Sequence, residues 1–343
     1  MKRIAILTHP LAGNYGGVLQ CYALSKYLER NGCSVIVLNR HQNISPAIKR
    51  IVIKILRHVG CKRYSDNSPR SLDIRSFVQK NINYTKPIES DRELIRYMKR
   101  IDTVIVGSDQ VWRKSFAKDY GYNYFLDFVP SCTKRIAYAA SFGLSSWDYS
   151  EEETRIIQDL LKKFTCISVR ESSGVKLCEK YLNISVPELI DPTLLLDEND
   201  YIINKEGNAT EDSFIFAYWL GDEKDLDREL YELQKQCPYK IKSIILRSSS
   251  STSSVEDWLE SIKDAAIVIT DSFHGCVFSI LFKKKFVACE NSSGGNTRIL
   301  SLFSKLGIDP KRTAYMTEDD YSPIFEKIHE ERILVESFFS AIK

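Results

Sequence analysis

Short apolar runs of four or five residues recur along this chain, each followed by a loop and then a stretch of helical period. Such runs are strands buried on both faces, which points to parallel sheets with helices packed on either side. Ile4–Leu7 is the first, followed by the glycine-rich turn Gly13-Asn-Tyr-Gly-Gly. A helix is then predicted over Val18–Asn31, with Leu19, Tyr22, Ala23, Tyr27 and Leu28 on one stripe and Gly32 as its stop. Ser34–Leu38, Thr103–Val106, Arg135–Ala139 and Cys166–Val169 are predicted strands, with a helix over Glu151–Lys163. A second alternating block has predicted strands at Phe214–Tyr218, Lys242–Leu246, Ala266–Thr270 and Lys285–Ala288. Its helices are predicted over Glu223–Gln236, Val255–Lys263 and Gly275–Lys283.

Two blocks of this kind predict an α/β protein of two Rossmann-like domains facing across a cleft, residues 1–190 and 191–343. Asp191-Pro192 and the run Asp197–Asp212 read as the linker. Residues 44–100 interrupt the first block as a helical insertion, and the last helix, about Tyr321–Ile342, is read as returning to the first domain. A length of 343 residues suits two domains of this size.

Charge and cysteine usage narrow the function classes. The chain has 48 basic and 45 acidic residues, too even a balance to imply nucleic acid. Its nine cysteines form no C-x-x-C pair, and several sit in apolar runs. Reduced, buried thiols and a cytoplasmic location are therefore expected. The apolar start turns polar at Thr8-His9, too soon for a signal peptide. No apolar stretch approaches the roughly 18 residues of a membrane span. The basic segment 46–63 interleaves Lys49, Arg50, Lys54, Arg57, Lys62 and Arg63 with Ile48, Ile51, Val52, Ile55 and Leu56. It reads as a helix packed on the domain with a solvated basic face; the other reading is peripheral contact with the inner face of an anionic membrane. No metal-ligand spacing is visible, and no metal or cofactor is expected.

Chemistry is expected at strand carboxyl ends, which face the crevice of an open parallel sheet. Asp271-Ser272-Phe273-His274-Gly275 follows one strand and opens a helix, which places His274 in the cleft as the candidate acid/base. Asp109 or Asp271 is expected to orient His274 or an acceptor hydroxyl. His9 also follows a strand, in a less favourable setting. Asn14, Tyr15, Gly16, Gly17 and Gln20 resemble a phosphate-approach loop with a helix N-terminus behind it; a tight turn is the equal alternative. Ser108, Asp109, Gln110 and Trp112 follow a strand, with Trp112 offered as a sugar platform or a core anchor. Ser141 and Phe142 lie on a small-residue loop that permits close backbone approach. Arg170 could clamp a carboxylate or phosphate, or pair with Glu171. Asn296 and Arg298 form a further anion-binding candidate on a polar loop.

In order, Gly-Ser-Asp-Gln-x-Trp, Ala-Ser-Phe-Gly, Ser-Val-Arg-Glu, Asp-Pro-Thr-Leu-Leu and Thr-Asp-Ser-Phe-His-Gly resemble the polysaccharide pyruvyl transferase family, from about Gly13 to Leu302. The resemblance implies a GT-B-like fold. It also implies transfer of a pyruvyl group from phosphoenolpyruvate to a glycan, usually as a ketal bridging two hydroxyls of one sugar. By the same likeness the first domain would be the acceptor side and the second the donor side, with a lipid-linked oligosaccharide as one form of acceptor. His274 matches the family's histidine. Many members carry Arg-Leu-His there, whereas this chain has Ser272-Phe273-His274. Arg170, Arg298 and Lys284 are the expected substitutes for the missing cation. The competing readings are a GT-B glycosyltransferase using a nucleotide sugar and a non-catalytic glycan-binding protein.

Overall fold

The computed structural model describes residues 1–41, 69–202, 213–235, 239–245, 253–291 and 296–340. The basic segment 46–63 and most of the acidic run 197–212 lie outside them.

The first half contains β1 (Arg3–Leu7), α1 (Tyr15–Arg30), β2 (Ser34–Val37), α2 (Pro69–Asn81), α3 (Asp91–Met98) and β3 (Thr103–Val106). It continues with β4 (Lys134–Ala140), α5 (Glu151–Leu161), β5 (Cys166–Val169) and α6 (Ser172–Leu177), and a one-turn helix, α4 (Lys114–Ala117), sits between β3 and β4. The second half contains β6 (Phe214–Trp219), α7 (Glu223–Gln234), β7 (Lys240–Ile245), α8 (Val255–Asp264) and β8 (Ile267–Thr270). α9 (Phe273–Leu281), β9 (Phe286–Ala288), α10 (Asn296–Leu306) and α11 (Glu318–Phe339) complete it.

The strands form two all-parallel sheets, in the orders β2-β1-β3-β4-β5 and β7-β6-β8-β9. Every residue of β3 and β8 is buried, as continuous apolar strands covered on both faces must be. The strand order reverses between β1 and β3 in one sheet and between β6 and β8 in the other. At such points the loops leaving the strand ends diverge to opposite faces and open a crevice. The crevice loops are therefore those after Leu7, Val106, Trp219 and Thr270.

One apolar core runs through both halves, joining Ile4, Val18 and Leu24 to Trp258, Phe278 and Phe303. α1 is its hinge pin. Tyr15 stacks on Trp258 of α8 at 5.4 Å between ring centroids, and its hydroxyl donates to Ser253 O at 2.7 Å. The last turn of α11 sets Phe339 against Tyr138 of β4 at 4.8 Å and Tyr27 of α1 at 5.7 Å. Arg332 on the same helix donates from Nε to Leu194 O and from Nη2 to Leu196 O, both at 2.8 Å. Among the described residues no helix is long and apolar enough to cross a membrane. Burial pushes the Cys21, Cys178 and Cys289 thiols up to about 12, which makes them inert as nucleophiles.

Candidate active site

His274 is the second residue of α9. Ser272 caps that helix, its Oγ accepting from Gly275 N at 3.4 Å. Gly275 lets the turn close on Thr270, since a Cβ there would overlap the threonine side chain. The ring of His274 is thus delivered from β8 into the cleft. It meets α1 of the other sheet so closely that a Cβ on Gly16 would overlap the imidazole. At Gly17 a Cβ would stand 3.3 Å from Asp109 Oδ2. The paired glycines allow the helix start to pass between His274 and Asp109.

Arg170 directly follows β5 and reaches across the strand ends. Its Nη1 donates to Asp191 Oδ2 at 2.7 Å, and its Nη2 lies 3.6 Å from Asp109 Oδ1. The Asp191 carboxylate is saturated: Oδ2 also accepts from Ser108 Oγ at 3.1 Å, and Oδ1 accepts from Thr193 N and Oγ1. His274 Nε2 is 3.7 Å from Asp191 Oδ2, too far for a hydrogen bond but close enough for a strong charge interaction. The guanidinium carbon of Arg170 lies 4.6 Å from the centre of the Phe273 ring, and that of Arg298 5.9 Å. One aromatic ring therefore sits against both arginines.

Buried arginines and carboxylates act on one another at this centre. Burial works to raise the Asp191 carboxyl, but His274 and Arg170 outweigh it and hold the group far below the usual carboxylate range. Asp109 is also held low, with His9, Arg170, His274 and Arg298 overcoming its burial. Arg170 is stabilised in its charged form: burial opposes it, and Asp191 and Asp109 more than compensate. For Arg298, burial and the neighbouring Arg170 charge outweigh Asp109 and Glu171 and push it down to about 10. Arg170 Nε and Nη2, Arg298 Nε and His274 Nε2 are buried here without a hydrogen-bond partner among the described residues. Unpaired buried donors are costly and rare in proteins. Planar, multiply charged anions carry the acceptors that such grouped guanidinium donors lack.

Of the residues singled out in the sequence, the fold gathers His274, Asp109, Arg170, Phe273, Arg298, Gly16 and Gly17 at one place. Several others are turned to different work. Trp112 is not a sugar platform: it is fully buried, stacked on Phe125 at 5.6 Å, and its indole N–H donates to Tyr124 O. Tyr15 belongs to the core shared by the two sheets rather than to a ligand surface. Gln20 is a brace, donating to Thr8 Oγ1 and Gly17 O while its Oε1 accepts from Ser108 N. Asn14 caps α1 through Gly16 N. Gln110 Oε1 accepts from Arg113 and fills the space that a side chain at Gly143 would need.

Glu171 does not pair with Arg170. Successive strand residues point to opposite faces, and Glu171 Oε1 instead accepts from Ser141 Oγ and from Phe142 N, holding the loop after β4. Ser141 and Phe142 are buried by this bond and by the core. Asp271 does not orient His274: its oxygens accept from Leu220 N, Gly221 N and Asn291 Nδ2, each at 2.8 Å. Asn296 continues that scaffold by accepting from Asn291 N. Lys284 precedes β9, at the amino end of the sheet and so away from the cleft; burial lowers its pKa, and its carbonyl accepts from Tyr321.

Asp191 was read as linker, yet it is fully buried at the centre of the site. Its signal was available in outline, because the apolar pair Leu189-Ile190 ends in Asp-Pro as a strand end would, and Glu188 bridges to Val169. His9 and Arg113 also reach the cleft, through the same rule that strand ends face it. Among the described residues no group of His, Cys, Asp and Glu is arranged to hold a metal ion.

A family model described as polysaccharide pyruvyl transferase matches residues 14–293, most of the chain. No curated protein matches the sequence significantly. Among solved structures, the chain is similar to S. aureus MnaA in a co-structure with UDP, with a TM-score of 0.53, 14% identity, and coverage of 100% of this chain and 97% of that one. It is also similar to an alpha-glucosyltransferase (AGT) in complex with UDP, with a TM-score of 0.50, 11% identity and full coverage of both chains. At these identities the likeness is one of fold, the GT-B arrangement of two Rossmann-like domains.

Proposed function

This chain belongs to the polysaccharide pyruvyl transferase family, and on that premise we propose that it transfers the pyruvyl group of phosphoenolpyruvate to two hydroxyls of one glycan sugar, closing a ketal. The observation that carries the reading is the set of unpaired buried donors of Arg170 and Arg298 beside the unpaired Nε2 of His274. Phosphoenolpyruvate carries a phosphate and a carboxylate on adjacent atoms, and planar guanidinium forks suit both. Phe273 stands where many relatives have leucine, and its ring supports the two arginines that stand in for the cation absent at Ser272.

In this reading Arg170 and Arg298 hold the two anionic groups. Asp191 positions Arg170 and takes no proton, since both its oxygens are already engaged. His274, protonated, donates to the methylene carbon. The carbon bearing the carboxylate then gains oxocarbenium character and is attacked by a sugar hydroxyl, which returns its proton to His274. Attack by a second hydroxyl expels phosphate. Burial of the centre raises the value of each charge interaction as the charge redistributes.

The test is phosphate release from phosphoenolpyruvate with a panel of free and lipid-linked acceptors containing galactose or mannose. Acceptor-dependent release is expected, falling about 10²–10⁴-fold in His274→Ala. Release that survives the substitution would remove His274 from its role. No release with any acceptor, together with tight binding of a nucleotide sugar, would replace this reading with glycosyl transfer.

A further inference from the structure

The mechanism above leaves one corner of the cleft without a task. Leu7 and Val106 are in register on neighbouring strands, so the loops that follow leave the sheet side by side. Thr8 Oγ1 donates to Ser108 O at 3.2 Å and ties them together. His9 stands on the first loop and Asp109 to Arg113 on the second. The His9 imidazole is edge-on to Tyr124, with ring centroids 5.1 Å apart, and to Phe116 at 5.8 Å. Its Nε2 is buried and has no hydrogen-bond partner. Arg113 lies over Phe116, with its guanidinium carbon 4.8 Å from the ring centre, and its Nε is likewise buried and unpartnered. Phe116 itself is 45% exposed.

An open aromatic ring flanked by two unsatisfied polar nitrogens fits a sugar: an apolar surface for the ring, hydrogen-bonding groups for its hydroxyls. The position also fits. Asp109, 3.6 Å from Arg170, separates this corner from the guanidinium cluster that would hold the donor. We propose that His9, Arg113 and Phe116 form the acceptor-sugar subsite, and that His9 Nε2 takes the proton of the hydroxyl that closes the ketal. This rests on the pyruvyl-transfer reading.

The chemistry requires a second proton acceptor. In the first addition, the methylene carbon gains a proton from His274, and the attacking hydroxyl gives its own back to the same ring. In the second, the other hydroxyl oxygen forms a bond to the ketal carbon. The bond from that carbon to the phosphate oxygen breaks, and its electron pair leaves with the phosphate. One hydroxyl proton remains to be moved. His9 Nε2 accepts it and passes it to the departing phosphate, so that both histidines end as they began.

The experiment follows both halves of the reaction in wild type, His9→Gln, Phe116→Ala and His274→Ala, using phosphoenolpyruvate and the same acceptor panel. In deuterated water the reversible first addition washes deuterium into the methylene group of phosphoenolpyruvate, read by NMR, while phosphate release reports closure. His9→Gln is expected to keep the acceptor-dependent exchange and lose about 10²–10⁴-fold in phosphate release. His274→Ala is expected to lose both. Phe116→Ala, at an exposed position, should raise KM for the acceptor at least about tenfold and leave KM for phosphoenolpyruvate unchanged, as loss of a contact made equally in ground and transition states does. Phosphate release in His9→Gln within about threefold of wild type overturns the proton-acceptor role, as does loss of the exchange along with release. An unchanged acceptor KM in Phe116→Ala overturns the subsite, and that variant decides the matter if His9→Gln does not fold. A wild-type protein that releases no phosphate with any acceptor sinks the pyruvyl-transfer reading itself, an outcome distinct from an active wild type matched by an active His9→Gln.

Discussion

Asp191 is the residue on which most of the site's geometry depends. It pairs with Arg170, accepts from Ser108 and Thr193, and faces His274, all without contact with water. Asp191→Asn would leave the Arg170 guanidinium buried beside a neutral amide. Breaking one partner of a buried pair costs about 3–5 kcal/mol, so a lower urea midpoint at pH 7 is expected. The pH dependence has a definite sign. The folded carboxyl lies below its unfolded value, so its stabilisation is complete above the unfolded value of about 4 and is lost as pH falls below it. Urea midpoints should therefore drop on acidification in the wild type, and drop less in Asp191→Asn. Equal acid slopes in the two proteins would mean that other carboxyls carry the effect.

At the scale of elements, α1 does two things that its sequence shows unequally. The Gly16-Gly17 pair was legible as a loop that lets backbone come close to something. What comes close is the His274 ring and the Asp109 carboxylate of this same chain, and only the folded arrangement supplies that partner. Tyr15 read as part of the same ligand loop, but it stacks on Trp258 and bonds to Ser253 in the other half. Tyr15→Ala should lose about 3–5 kcal/mol, as truncation of a large buried aromatic does. Tyr15→Phe keeps the stacking and should lose only about 1 kcal/mol for the missing hydrogen bond. Thermal or urea unfolding of both variants checks this, and equal losses would mean that the hydroxyl, rather than the ring, holds the halves together.

At the scale of the whole molecule, the cleft brings donors from both sheets to one place: Arg170 from the first, Arg298 and His274 from the second. A ligand that joins them should stabilise the folded state as a whole. Phosphoenolpyruvate at a hundred times its dissociation constant would add about 2.7 kcal/mol, seen as a rise in Tm. Arg298→Gln should keep the fold and lose most of that rise, because it removes a cation whose charged form burial and Arg170 disfavour in the free protein. A rise of the same size in the variant would place the anion elsewhere.

The sequence by itself determined the architecture and which strand-end loops line the cleft. Buried apolar runs can only be covered parallel strands, and their carboxyl ends must face a crevice, so His274, Asp109 and Arg170 were legible before any coordinate. It did not determine which strand-end residues face ligand and which face protein. Trp112 and Gln20 carry the same residue types as ligand-binding groups, yet they are spent on the core and on bracing. Asp191 precedes a proline and read as linker, yet it is drawn in to neutralise Arg170. Those assignments depend on contacts between residues distant in the chain, such as Ser108 with Asp191 and Gly16 with His274. Packing within the first half decided most of them, and the meeting of the two halves decided what faces Gly16.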